Sequence, residues 1–293
     1  MPNRLPADLA ALPRPAIVEQ IDYEAIRLRM VAKFRQLWEA ARQKRPELPA
    51  YDVELLESDP AMVVLQAGAY REMLLRQRVN EAARASLVAF ATGTSLDHLV
   101  ASVGMTRMAG EDDDRLALRF ILYNQDRNSG GTEPRYMFLA LSTDIRVADA
   151  VVYTVGRNPT IFVSILASDN NGVADQALMD KVASALTDRR VRMVNDTIVV
   201  EPAARAPVDI AADIWLLPDA PASVFEALEG KLRAAWAVDG KLGRDLTQSW
   251  IVHALSVAGV QRVENVSPDR VVVPFNQVAV IGDVRLSLKG RDY

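Results

Sequence analysis

Hydrophobic residues recur at three- and four-residue spacing in the first half of the chain, which is typical of amphipathic helices. The first stripe begins after Asp22, a good N-cap, and consists of Ile26, Met30, Phe34 and Leu37. Asp59-Pro60 predicts the start of a second helix, since proline fits the first helical position. Its apolar spacing then runs through Val63, Val64, Ala67, Tyr70, Met73 and Leu74.

The second predicted helix has no break from Pro60 to Phe90, a length of about 46 Å. A compact domain of 100 residues is only about 34 Å across. Between Ala82 and Ala91 only Arg84 is charged, and a helix that is apolar on all sides has to be buried on all sides. We therefore expect either partner chains or the C-terminal part of the same chain to cover it.

The end of this helix predicts the closest approach of a partner helix. Small residues allow close approach and larger apolar residues flank them; the interface candidates are Ala82, Ala83, Ala85, Leu87, Val88, Phe90 and Leu96. Gly93 suits a left-handed C-cap. A short capped helix carrying Leu96 follows it, and Gly104 ends that helix.

After residue 143 the period changes to that of β-branched strands between turns and helices. Together these patterns predict an α+β fold, with a long-helix region followed by two small α/β units with antiparallel or mixed sheets. A short repeat, in which a helix ending in Ala-Leu-Ser runs into a strand, links the two units. The predicted divisions are an extended proline-rich arm (1–22), a helical bundle region (23–105), a linker (106–131) and α/β units at 132–202 and 203–293.

Composition narrows the classes of function. The chain has 293 residues, 50% hydrophobic and 25% charged, with a formal net charge of −4 and no cysteine. An acidic balance argues against a large nucleic-acid footprint, and the missing cysteines exclude disulfides and thiolate chemistry. No window has the roughly 20 apolar residues of a membrane span, so we expect a soluble, non-secreted protein.

Candidate chemistry is sparse. His98 and His253 have no second ligand at metal-binding spacing, and Glu111–Asp114 lacks the pattern of a calcium loop, so a solvated linker with an N-cap is favoured there. The "NSGGTEPR" loop lacks the Lys-Ser/Thr pair of a phosphate loop. The sequence therefore predicts no catalytic residue, no metal and no cofactor. A carboxylate-based hydrolase and an adaptor that binds a small ligand at "SGG" remain as alternatives.

The long run "DPAMVVLQAGAYREMLLRQRVNEAARASLVAFATGTSLDHLVASVGMTR" resembles the N-terminal hallmark of the baseplate J-like proteins of P2-type contractile-tailed phages. The stretches "EPRYMFLALSTDIRVADAVV", "ILASDNNGVAD", "VRMVNDTIVV" and "LGRDLTQSWIVHALSVAGVQRV" follow in the order seen in that family. The resemblance covers nearly the whole chain from about residue 13.

The resemblance implies a structural, non-enzymatic role in the baseplate wedge of a phage, tailocin or related injection machine. Two J-like chains would join a smaller, I-like wedge protein through long helices, next to sheath, spike or hub proteins. Pairing of the C-terminal units would close a six-fold ring around the spike. The candidate pairing face is the last strand or the helix from Thr247 to Val257, whose nearly uncharged sequence contains Trp250, Ile251 and His253. We expect assembly in the bacterial cytoplasm, with no nucleic-acid partner and no membrane insertion.

Overall fold

A computed structural model describes residues 17–51, 59–125, 131–157 and 159–293. The helices of its first half are α1 (Tyr23–Lys44), α2 (Pro60–Ala85), α3 (Gly93–Ala101), α4 (Asp113–Gln125) and α5 (Glu133–Thr143). One compact unit ends at Arg107 and another spans Met108 to Tyr293. We call them the helical unit and the α/β unit.

The α/β unit continues with β1 (Val147–Thr154), β2 (Thr160–Ala167), α6 (Gln176–Thr187), β3 (Thr197–Pro202), β4 (Ala204–Leu216), α7 (Ser223–Glu226), α8 (Leu228–Asp239), β5 (Leu246–Thr247), α9 (Gln248–Leu255), β6 (Val260–Ser267), β7 (Arg270–Val271) and β8 (Gln277–Arg291). Its main sheets are β1-β2-β3 and β6-β4-β8, and β5 pairs with β7. Each main sheet contains one antiparallel and one parallel pairing. The predicted α+β class with mixed sheets is confirmed.

Side chains fix several helix starts where the sequence places them. The Asp22 carboxylate accepts a hydrogen bond from the Ala25 amide at 3.2 Å, and Asp59 accepts one from Ala61 at 2.8 Å. Asp175 caps α6 in the same way through the Leu178 amide, at 2.7 Å. These bonds satisfy amides that have no partner inside the helix.

The prediction that α2 continues to Phe90 is wrong at its C-terminal end. The helix ends at Ala85, after 26 residues, or about 39 Å. The Ser86 hydroxyl donates to the Ala83 carbonyl at 2.7 Å, a local bond that competes with the helical ladder. Residues 86–90 then form turns in which the Phe90 amide donates to Leu87.

The segment 106–131, which the sequence presents as a linker that feeds a helix start at Asp114, contains α4 (Asp113–Gln125). Leu116 and Leu122 of α4 are 0% and 3% exposed, which shows that the helix after the acidic run is packed in the core. The Glu111 side chain is itself buried and accepts from both Arg119 Nη1 and the Met108 amide, at 2.7 and 2.9 Å. The expectation of a solvated acidic run is therefore wrong for Glu111.

The two main sheets of the α/β unit share buried surface. Helices α5 and α6 contribute to the core on one face of the β1-β2-β3 sheet. On its other face, Val151 and Leu166 belong to a buried cluster with Leu242 and Val278. Since Leu242 and Val278 come from the last third of the chain, 132–202 and 203–293 pack against each other.

Candidate interaction surface

Helix α2 packs against α1 through one of its faces. Met62 and Ala69 of α2 and Ile26 of α1 are buried in the helical unit. The Met30 side chain of α1 crosses Gly68, where a Cβ atom would lie 3.3 Å from the Met30 sulfur. A glycine at this position therefore sets how closely the two helices approach.

Polar contacts fasten the segment before α1 to the same face of α2. The buried Asn80 side chain accepts from the Glu19 amide at 3.0 Å and donates to the Glu19 carbonyl at 2.8 Å. Arg76 pairs with the Glu19 carboxylate at 2.6 Å and with Glu72 at 2.8 Å. The helical unit thus fixes this face of α2 with both apolar and polar contacts.

The rest of the α2 surface carries two exposed apolar rows with exposed arginines between them. Its six large apolar side chains are 43–71% exposed, and we call this set the α2 stripe: Val63, Val64, Tyr70, Leu74, Leu75 and Val79. Val63, Tyr70 and Leu74 follow the seven- and four-residue spacing of one helix face, and Arg71 and Arg78 are exposed within it. Contiguous exposed apolar patches are uncommon on monomeric proteins and mark interaction sites.

The interface residues predicted around the end of α2 divide into two groups. Ala82 is exposed, and Ala83, Ala85, Leu87, Val88 and Phe90 are half-buried. Leu96 on α3 is 0% exposed, so it is a core residue of the helical unit and not a surface residue. The exposed apolar surface therefore lies along the middle of α2, N-terminal to the predicted position.

The candidates on α9 divide in a similar way. Ile251 is 0% exposed in the core beneath the second sheet, so the prediction that it lies on a surface is wrong. Trp250 is half-buried, and its indole Nε1 donates to Asp239 Oδ2 at 2.8 Å. That bond is the main cause of the lowered pKa of Asp239. Of the three candidates, only His253 is exposed.

Sequence reasoning missed the α2 stripe although it identified part of the pattern. The helical spacing of Val63, Val64, Tyr70 and Leu74 predicts an apolar face, but the partner contact was expected at the end of the helix instead. Periodicity identifies apolar faces but does not say which of two the chain covers itself. The sequence contained a further signal for this surface. Leu75 and Val79 place apolar residues outside the helix face that Met62 and Ala69 occupy.

The described residues offer little small-molecule chemistry. They contain no group of three or more side chains that could hold a metal ion, and their helices include none long and apolar enough to cross a bilayer. A cavity of about 290 Å³ lies beside Ser168, Arg233 and Trp236. Arg233 donates to the Ile281 and Gly282 carbonyls at 3.0 and 2.8 Å, so it is occupied by the fold. Ser129 and Gly130 of the predicted ligand loop lie outside the described residues.

Comparison with known proteins finds a family model, a sequence relative and similar solved structures. Residues 57–114 match the model of the baseplate J-like N-terminal domain, a segment that contains all of α2 and α3. The chain is 34% identical over 302 residues to baseplate protein J of Escherichia phage P2, covering 97% of this chain and 98% of that protein. A cryo-EM structure of the anti-feeding prophage baseplate, six-fold symmetrised, contains a chain with a TM-score of 0.43 and 14% identity, and the match covers 59% of this chain and 42% of that one.

Proposed function

Because the chain belongs to the family of baseplate J-like proteins, we propose that it is a structural component of the baseplate of a contractile tail. The α2 stripe is the observation that supports this role most directly. It lies on a helix inside the segment that matches the family's N-terminal domain. A structural part that works only in an assembly has reason to keep an apolar helix face for its neighbours.

In this proposal the helical unit is the wedge-forming part. The α2 stripe packs against helices of a second copy and of a smaller, I-like wedge protein. Burying a fully exposed Val or Leu side chain stabilises by about 1.5–3 kcal/mol, and the six side chains of the α2 stripe, which are 43–71% exposed, contribute part of that each against the cost of association. The assembled wedges then form a six-fold ring around the central spike, in a tail particle that is put together in the bacterial cytoplasm.

The α/β unit is the ring-closing part in the same proposal. Its candidate contacts are now Trp250 and His253, since Ile251 is in the core. Deleting residues from 203 onward is a poor test of this idea because Leu242 and Val278 cover the first sheet. The variant His253→Glu changes an exposed side chain and leaves that cover in place.

The deciding experiment is co-expression of the chain with its neighbouring tail proteins, followed by a mass measurement of the purified complex. The test variant is Val64→Asp with Leu75→Asp, at side chains that are 71% and 63% exposed. We expect it to stay folded but to lose the heteromeric complex, because two buried charges on the same side of α2 would prevent apolar packing.

The matched control is Val238→Asp, at a valine of the α/β unit that is 78% exposed. It makes the same chemical change on a surface outside the α2 stripe, so the control complex keeps the wild-type mass. A complex of wild-type mass from the double variant would show that the α2 stripe is not the wedge interface.

A further inference from the structure

A second exposed surface, of different chemistry, lies at one end of the first sheet. The hairpin between β1 and β2 meets the loop between α6 and β3 there, since the Thr197 amide donates to the Pro159 carbonyl at 3.2 Å. Exposed arginines and apolar side chains occupy both segments. We call this surface the arginine end: Arg157, Arg189, Arg190, Arg192, Val155, Met193 and Val194.

The charges of the arginine end oppose those of the whole chain, which has 38 acidic and 34 basic residues. Arg190 pairs with Asp188 at 3.0 Å. Among the residues that the structure describes, no carboxylate pairs with Arg157, Arg189 or Arg192. The surface therefore keeps a positive field that attracts an acidic partner.

The loop between α6 and β3 is held in one conformation by contacts to the rest of the unit. Tyr136 donates its hydroxyl to Asp196 Oδ2 at 2.5 Å, and Gly131 leaves room for Met193, whose Cγ would lie 2.6 Å from a Cβ there. Inside the loop, the Asp188 carbonyl accepts from the Val191 and Arg192 amides at 2.8 and 3.0 Å. A surface that is already ordered loses less conformational entropy when it binds.

The apolar tips distinguish between kinds of partner. Val194 is 91% exposed, Val155 is 63% exposed and Met193 is 45% exposed, in the same two segments of the chain as the arginines. Protein interfaces are enriched in Arg and Met, whereas nucleic-acid footprints rely on broad basic surfaces that contact phosphates. We propose that the arginine end is a docking surface for an acidic protein surface that also presents apolar side chains.

The test uses the full chain and a synthetic peptide of glutamates interspersed with leucines, with binding followed by fluorescence anisotropy. The main variant is Arg189→Glu with Arg192→Glu. We expect its affinity for the peptide to fall by about tenfold or more, because attraction becomes repulsion across the interface. Val194→Ser is the second variant, and it weakens binding while every charge is kept.

The matched control is Arg285→Glu, at a side chain that is 77% exposed elsewhere on the α/β unit; its affinity stays within about twofold of wild type. Three results would overturn the proposal: no binding of the peptide by wild type, an equal loss in the control, or tighter binding of a single-stranded oligonucleotide of the same charge. If the double variant does not fold, Val194→Ser decides, because its side chain is almost fully exposed. The α2 stripe variants keep peptide binding, so failure of the wedge assignment and failure of this one give different results.

Discussion

The helical unit and the α/β unit solve the problem of burial in different ways. The α/β unit covers its helices with sheets, and its two largest cores contain aromatic and aliphatic side chains that are 0% exposed, such as Tyr136 and Ile214. The helical unit buries one face of α2 and leaves the α2 stripe open. The comparison teaches that α/β packing lets a unit cover its own apolar surface, while a helix pair with apolar residues on two faces leaves one of them exposed.

The largest effect on stability is expected from breaking the buried ion pair of the α/β unit. The side chains of Glu111 and Arg119 are 0% and 7% exposed and lie 2.7 Å apart. Glu111→Ala leaves a buried guanidinium without its counter-charge, so we expect the free energy of unfolding to fall by about 3–5 kcal/mol. Urea unfolding followed by circular dichroism measures it.

The matched control for the ion pair is Glu229→Ala, which breaks the exposed pair with Arg233. We expect that change to cost about 0.3–0.5 kcal/mol, as for other helix-surface pairs. A similarly small loss of unfolding free energy in Glu111→Ala would show that the buried ion pair does not contribute more to stability than an exposed one.

A middle-sized effect is expected in the helical unit from Asn80→Ala. The change removes both hydrogen bonds to the Glu19 backbone, and a buried polar group left without a partner costs about 1–3 kcal/mol. Hydrogen exchange would show faster exchange of the Glu19 amide and of the first turn of α1. Gln77→Ala on the exposed side of the same helix is the control, and its exchange pattern stays that of wild type. Unchanged protection of Glu19 in Asn80→Ala would mean that apolar packing alone fixes the pair.

The smallest expected effect is a loss of stability of the α/β unit at acidic pH. Among the described residues, the carboxylates with a lowered pKa all lie in the α/β unit: Asp144, Asp175, Asp188, Asp213, Asp239, Asp245 and Asp292. The hydrogen bond from the Arg190 side chain is the largest cause for Asp188, whose pKa falls to about 2. A pKa that folding lowers stabilises the fold above the unfolded value of about 3.9, and that stabilisation is lost as the pH falls toward the folded value.

We therefore expect the urea midpoint of the α/β unit to drop between about pH 4 and pH 2, while that of the helical unit changes less. Fluorescence separates the two, since Trp215, Trp236 and Trp250 lie in the α/β unit and Trp38 lies in the helical unit. Equal shifts for both signals would remove acid sensitivity as a difference between them.

Local signals predicted the fold well where they are strong. Asp22, Asp59-Pro60 and the β-branched runs identify starts of elements because caps and strand propensity act over a few residues. The α2 end was missed because a single serine, Ser86, stops a segment whose composition still favours a helix. The acidic run predicts a helix start at Asp114, within one residue of the start of α4 at Asp113, but the division of the chain still assigned 106–131 to a linker because short polar runs do not show that the helix after them packs in the core.

The interaction surface was only partly predictable for a different reason. Exposure is a property of the whole fold: Leu96 and Leu75 are both apolar residues on helices, and only packing decides that the first is buried and the second is 63% exposed. The arginine end depends on two loops that are about 35 residues apart in the sequence and become neighbours only when β2 pairs with β3. No pattern in the sequence indicates that these two loops are neighbours in the fold.

Ala203 is the single residue between β3 and β4, and its amide donates to Ile165 at 2.9 Å while the next amide donates to Asn276 at 3.3 Å. Only one residue therefore separates the two sheets along the chain, and it is itself hydrogen-bonded. A force applied along the backbone at this point therefore acts on both sheets, because there is no flexible connector between them that could extend first. We expect such a short connection to keep the two sheets in a fixed relation when a force acts on the α/β unit.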